Sequence, residues 1–203
     1  MIRRCLYVAS LAALLMGCAE NVDPASAKAR KDPARPKLEA RMVVNKTTYA
    51  LDLGGKTAEE FQRGIEAVKP FDPLPASPAV DMVFEIVNAG ENPLSVTIWD
   101  SMMQLDLKGP GVLDRQQIAM NCIPPPPLTL KPGEVHKIPI KQLGYFSGKG
   151  THSLYWTQPG EYTLSASLSV DVAPGDAAAN APRTTLPLRS EPVKLKVEKK
   201  DTK

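Results

Sequence analysis

Histidine, cysteine and aromatic side chains are scarce in this chain. His occurs twice, Cys three times, and Phe, Trp and Tyr together make 5% of the 203 residues. The few Cys and His fall in no Cys-x-x-Cys or His-x-His spacing, which leaves zinc and dithiol redox chemistry without a motif. Met102, Met103, Met120, Cys122, His136 and His152 are soft or borderline ligands that suit copper. They are scattered, however, and no metal site is expected. No Asp-x-Asp-x-Asp-Gly loop is present for calcium. Charge of one sign is also lacking: 25 basic residues face 22 acidic ones, so neither a nucleic-acid surface nor an acidic solvating chain is indicated. No apolar run reaches the roughly 20 residues of a membrane-spanning helix.

Catalytic signatures are missing as well. Ser-based acyl transfer needs a nucleophile, a base and an orienting acid, and Gly-x-Ser-x-Gly does not occur. His136 sits in an alternating run beside Lys137, which predicts a solvent-facing strand position. Cys122 is followed by Ile123 and four prolines, so neither a helix N-terminus nor a cationic neighbour is there to lower its pKa. Gly109-Pro110-Gly111 and Gly148-Lys149-Gly150 are turns with no helix behind them, so neither cradles a phosphate. The expectation is a non-enzyme with no catalytic residues, no metal and no cofactor.

What is abundant is proline, 20 residues, about twice ordinary usage. Proline breaks helix interiors, so long helices are excluded over most of the chain. Hydrophobic residues make up 43%, enough for one packed domain.

The N-terminus reads as a processing segment over residues 1–17. Arg3 and Arg4 are a positive start, and Leu6 to Met16 is a short apolar stretch. Leu15-Met16-Gly17-Cys18 resembles the bacterial lipobox. That resemblance implies cleavage before Cys18 and lipid (palmitate among the acyl chains) on its sulfur and amine. With Cys5 removed and Cys18 acylated, Cys122 is the single remaining thiol, so the mature chain forms no internal disulfide. Residues 18–37 read as a disordered tether of Ala, Lys, Pro, Asp and Arg. Its reach is at most about 60 Å fully extended and nearer 25 Å as a coil. In lipoproteins of this kind an Asp after the lipidated Cys signals retention at the inner membrane. Ala19 stands there, so the expected location is the cell envelope, at the outer membrane.

Residues 38–198 change to period two. Leu38, Ala40, Met42 and Val44 alternate with Glu39, Arg41 and Val43, which predicts a half-buried strand. Val80 to Val87 is apolar on both faces and predicts a central strand. Further strands are predicted at Leu94–Trp99, Gln104–Leu107, Gln117–Met120, Leu128–Leu130, Val135–Ile140, Ser153–Trp156, Tyr162–Val172, Thr184–Leu188 and Val193–Val197. One helix is predicted over Ala58–Val68. Thr57-Ala58-Glu59-Glu60 is a capping-box pattern, Phe61, Ile65 and Val68 share a face, and Pro70 ends the run. Its apolar stripe is expected on a sheet edge or an open end. Residues 199–203 are a charged tail.

Leu130-Lys131-Pro132-Gly133-Glu134 and Gln158-Pro159-Gly160-Glu161-Tyr162-Thr163-Leu164 resemble turn-to-strand passages of bacterial immunoglobulin-like domains. The strand-sized runs separated by turn signals predict an all-β sandwich with one short inserted helix. The resemblance implies that it is an immunoglobulin-like β-sandwich, with a corner role for Tyr162, its hydroxyl bonding upstream backbone. Leu51–Lys56, Leu105–Gly111, Tyr155–Thr157 and Ser190–Val197 resemble a group of secreted bacterial proteins to which no activity is assigned. A weaker resemblance, through the Pro-Gly-Glu turns, runs to bacterial proteinase-inhibitor domains. Two functions follow as expectations: an envelope-anchored binding or structural module, or an inhibitor of exported proteases acting through an exposed loop. The partner would be an envelope protein or glycan.

The segment Gly144-Tyr145-Phe146-Ser147-Gly148-Lys149-Gly150 places two aromatics in a Gly-rich loop. Tyr145 and Phe146 are the candidate partner-binding anchors, with Lys149 and His152 as polar rim. The competing reading is that both rings close one end of the sandwich.

Overall fold

The computed structural model describes residues 36–70, 72–117, 125–147, 150–177 and 181–200. Cys18, Cys122, Lys149, the lipobox and most of the proposed tether lie outside these residues. So does most of the strand expected at Gln117–Met120.

The architecture is all-β, with thirteen strands and one α-helix among the described residues. The strands are β1 (Leu38–Val44), β2 (Thr48–Leu51), β3 (Ala79–Asn88), β4 (Leu94–Thr97), β5 (Gln104–Lys108), β6 (Val112–Gln117) and β7 (Leu128–Leu130). After them come β8 (Val135–Gln142), β9 (Gly144–Ser147), β10 (Gly150–Trp156), β11 (Gly160–Pro174), β12 (Thr184–Arg189) and β13 (Val193–Lys199). The helix α1 spans Ala58–Ala67. Strands β2, β6 and β9 were not legible as strands. β9 corrects the expected Gly-rich loop: Gly144–Ser147 is paired to β10 with Tyr145 opposite His152.

Three sheets form. One has the order β1-β3-β8, a second β6-β10-β9, and the third is built on β11. β8 runs into β9 through Leu143, whose N–H donates to the Pro78 carbonyl and whose carbonyl accepts from Leu154. β3 is central in its sheet, as its two-sided apolar pattern implies. The inward faces of all three sheets contribute to one sandwich-like core. Met82, Phe84, Ile86, Ile138 and Ile140 come from the first, Leu154 and Trp156 from the second, and Leu164, Ala166, Leu168, Val170 and Leu195 from the third.

β11 is 15 residues long and organises its sheet. On one edge it pairs with β13 through residues 160–164 and then with β12 through 167–172. On the other edge it pairs with β5 through 163–167 and with β4 through 171–174. Tyr162 is buried at its start, its hydroxyl 2.6 Å from the Gln158 carbonyl and beside that of Pro110. This is the corner hydrogen bond expected of it. Gly109 is required there because a Cβ would collide with the Tyr162 ring.

α1 is closed at its start by the predicted capping box. Thr57 Oγ1 accepts from the Glu60 N–H, and the Glu60 carboxylate accepts from the Thr57 N–H. The helix lies on the outer face of the β6-β10-β9 sheet, at its β6 edge and over β10. Ile65 is buried, and the Phe61 ring meets Tyr155 edge-on at 5.5 Å. The Tyr155 hydroxyl donates to the Pro75 carbonyl at 2.7 Å, and Arg115 donates to that of Val68. The connection after the helix is thereby fastened to the same face.

Candidate functional site

The sequence candidates divide between two faces of one sheet. Side chains alternate along a strand, so Tyr145 and Phe146 point to opposite sides of β9. Tyr145 joins His152 on the core side, ring planes 4° apart and centroids 4.5 Å apart. Phe146, half-buried, lies opposite Thr151 on the other face. The two rings do not form one patch. The glycines also serve differently from expectation. Gly144 and Gly150 have no left-handed backbone, and a Cβ at Gly150 would collide with the Gln117 carbonyl of β6. Close strand approach, not freedom, requires that glycine.

His152 brings together residues that sequence spacing could not. Its Nδ1 lies 2.9 Å from Asp114 Oδ1, and its Nε2 lies 3.2 Å from Ser147 Oγ. Asp114 is on β6 and Ser147 on β9, each offset diagonally from His152 on the flanking strands. With the ring proton on Nδ1, His152 donates to Asp114 and accepts from the Ser147 hydroxyl. Ser147 Oγ also lies 3.4 Å from the Gly150 carbonyl. Half of Asp114 is in water, whereas His152 is mostly enclosed. Burial pushes the Tyr145 phenol up, and the Asp114 and Asp106 carboxylates add to that shift. Tyr145 and Asp114 border a cleft of about 260 Å³ shared with Gln104, Asp106 and Ser167.

His136 is the second correction. It pairs with Ile86 and shares the inward face of β8 with Ile138 and Ile140. It is half-buried and not fully solvent-facing. Its Nε2 is buried without a hydrogen-bond partner, 3.8 Å from Asp100 Oδ1.

A second site was missed in the sequence. The connection Ile98–Met103 interrupts the edge shared by β4 and β5, and contains a 3-10 turn at Asp100–Met102. Ala166 exchanges two hydrogen bonds with Ser190 beside β12. Even-numbered residues of β11 therefore turn their main-chain groups toward β12 and β13. Odd-numbered ones turn toward β5 and β4. Ser167 meets Gln104 there, and Asp171 meets Thr97. Ser169 falls between them, opposite no strand residue on that edge. Its N–H and C=O face the gap, and no main-chain bond outside the ladders reaches them among the described residues.

At this gap the surface opens into a cleft of about 390 Å³. Trp99 and Met102 wall one side and Pro187 the other. Ser167, Ser169 and Asp171 form the floor, with Gln104 at one end. Asp171 accepts from the Thr185 hydroxyl at 2.6 Å. The signal for this floor was present in the sequence: Thr163, Ser165, Ser167, Ser169 and Asp171 alternate with Leu164, Ala166, Leu168, Val170 and Val172. The alternation that predicts the strand also carries this small polar face.

Among the described residues no group of three or more His, Cys, Asp or Glu side chains is placed to hold a metal ion. No described helix is long and apolar enough to cross a membrane. No family model matches the chain, and neither a curated protein nor a solved structure matches it.

Proposed function

We propose that the protein is a lipoprotein anchored through Cys18 at the outer membrane, presenting an immunoglobulin-like sandwich as a non-enzymatic binding module. The Tyr162 corner supports the immunoglobulin-like assignment within the sandwich. One observation carries the binding role: the Trp99 cleft opens where the β11 ladder lacks a partner for Ser169. Main-chain groups beside an aromatic wall are the recognition elements of a ligand cleft. Any envelope protein or glycan partner would meet the module there.

The test uses the full-length protein and immobilised envelope fractions. Retention on at least one fraction, lost in Trp99→Ala with a melting temperature lowered by no more than about 4 °C, is the expected result. A wild-type protein retained by no fraction discards the module. Anchoring is tested separately: Cys18→Ser should move the protein out of membrane fractions and abolish palmitate labelling.

A second reading rests on Ser147, His152 and Asp114. Their order and distances are those of a nucleophilic serine relay. In that reading Ser147 Oγ attacks an ester carbonyl while His152 Nε2 takes its proton, the ester C–O bond then breaks, and His152 returns the proton to the departing alcohol oxygen while Asp114 holds the ring. Fluorophosphonate labelling of Ser147 that disappears in His152→Ala would favour it. An unlabelled wild-type protein leaves the three as a structural network.

A further inference from the structure

Resting on the binding-module reading, we infer that the Trp99 cleft takes a neutral carbohydrate: one sugar unit of a glycan chain lying across the outer face of the β11 sheet. Three features of the cleft select that chemistry. The first is charge. None of the lining side chains is basic, and Asp171 is the single acidic one. Phosphates, carboxylates and sulfated chains would meet a carboxylate and no cation, which is unfavourable.

The second is the pairing of surfaces. A pyranose has an apolar C–H face and a rim of hydroxyls that both donate and accept. Trp99 offers a flat apolar face with a polar N–H, and Pro187 opposes it across the floor. Gln104, Ser167 and Ser169 each donate and accept. Asp171 accepts, and its contact with Thr185 fixes its orientation before a ligand arrives.

The third is the open main chain. Ser169 contributes an N–H and a C=O that no strand takes up. An extended peptide adding to a sheet edge needs a run of such groups. The gap supplies one residue, bounded by Gln104 on one side and Thr97 on the other. A discrete polar ring fits it, and a β-strand does not. The cleft, about 390 Å³, lies in the lower part of the range occupied by small-ligand sites.

The experiment exploits the two tryptophans. Trp156 is 3% exposed in the core, whereas Trp99 is partly exposed on the cleft. Acrylamide quenching therefore reports on Trp99, with Trp156 as internal reference. Full-length protein in a detergent without sugar headgroups is titrated with chitotetraose, cellotetraose and maltotetraose. The result expected is saturable protection from quenching by at least one of them. Asp171→Asn, monitored by the same signal, should weaken binding about tenfold, the weight of a hydrogen bond to a charged acceptor. Trp99→Ala, followed by calorimetry, should do the same through the lost ring contact. No protection by any of the three overturns the proposal. So does binding that survives Asp171→Asn by quenching and Trp99→Ala by calorimetry, or equal protection of the wild type by neutral hexapeptides. If the sugars fail while envelope retention still depends on Trp99, the carbohydrate class falls and the module stands. If retention fails too, both fall.

Discussion

The outer faces of the β6-β10-β9 and β11 sheets meet different fates. On the first, Tyr155 would be exposed, yet it is 1% accessible, because Phe61 and the Pro75 carbonyl close over it. On the second, Ser167, Ser169 and Asp171 remain at the surface beneath Trp99. The difference lies in the connections. A capped helix and a proline-rich return lie on one face, whereas a six-residue bridge between β4 and β5 rises beside the other. Whether a sheet face becomes core or cleft is thus decided by the chain that crosses it.

The largest test of this contrast removes one ring from each face. Tyr155→Ala should cost about 3–5 kcal/mol, the range for buried aromatic truncations. Trp99→Ala should cost about 1 kcal/mol or less, as surface changes do. Denaturant melts of the two variants measure the gap, and equal losses would mean that Trp99 belongs to the core.

Proline on β11 separates the two edges at single-residue resolution. Val170 turns its N–H to β12, opposite Leu186, whereas Ser169 turns its N–H to the gap. Val170→Pro should cost about 3 kcal/mol or more. Ser169→Pro loses no ladder bond on that edge and should cost clearly less. Thermal melts decide it, and the reverse order would refute the gap.

The cover itself depends on the helix start. Thr57→Ala removes the cap and should cost about 1 kcal/mol. The loss should appear with increased hydrogen exchange in α1 and little change in β11.

The smallest effect concerns the third exposed face, that of β1-β3-β8. Glu85 is 6% exposed on it, 2.7 Å from Arg41 and 3.4 Å from Lys137. The Arg41 hydrogen bond holds its carboxyl below the usual range, against the desolvation that raises it, and Lys137 adds to the lowering. A depressed folded-state pKa stabilises above the ordinary Glu range, near pH 4.3. That stability is lost as pH falls through the folded value. Melting temperatures measured from pH 7 to pH 3 should fall more in wild type than in Glu85→Gln. Asp81 and Asp52 titrate in the same direction in both proteins and cancel.

Much of the fold was legible because its signals are local. The β1 boundaries follow from the alternation of Leu38, Ala40, Met42 and Val44. α1 follows from Thr57, Glu60 and the Phe61–Ile65 spacing, and the Tyr162 corner follows from its turn. β9 was lost because glycine at both ends reads as a loop, while strand approach at Gln117 is what needs Gly150. β6 was lost because Val112-Leu113-Asp114-Arg115-Gln116-Gln117 carries too few apolar residues to show a period. The candidate site was less legible still. Tyr145 and Phe146 are adjacent in the chain, and that adjacency suggested one patch.

The near balance of charge is a property of composition, and the period-two pattern, the helix cap and the turn chemistry depend on neighbours within a few positions. That His152 meets Asp114 and Ser147, that His136 lies on the inward face of β8, and that Ser169 faces a gap follow from the fold alone. Those outcomes depend on register between strands distant in the chain. A shift of one residue would send each side chain to the opposite face, and no local signal carries that information.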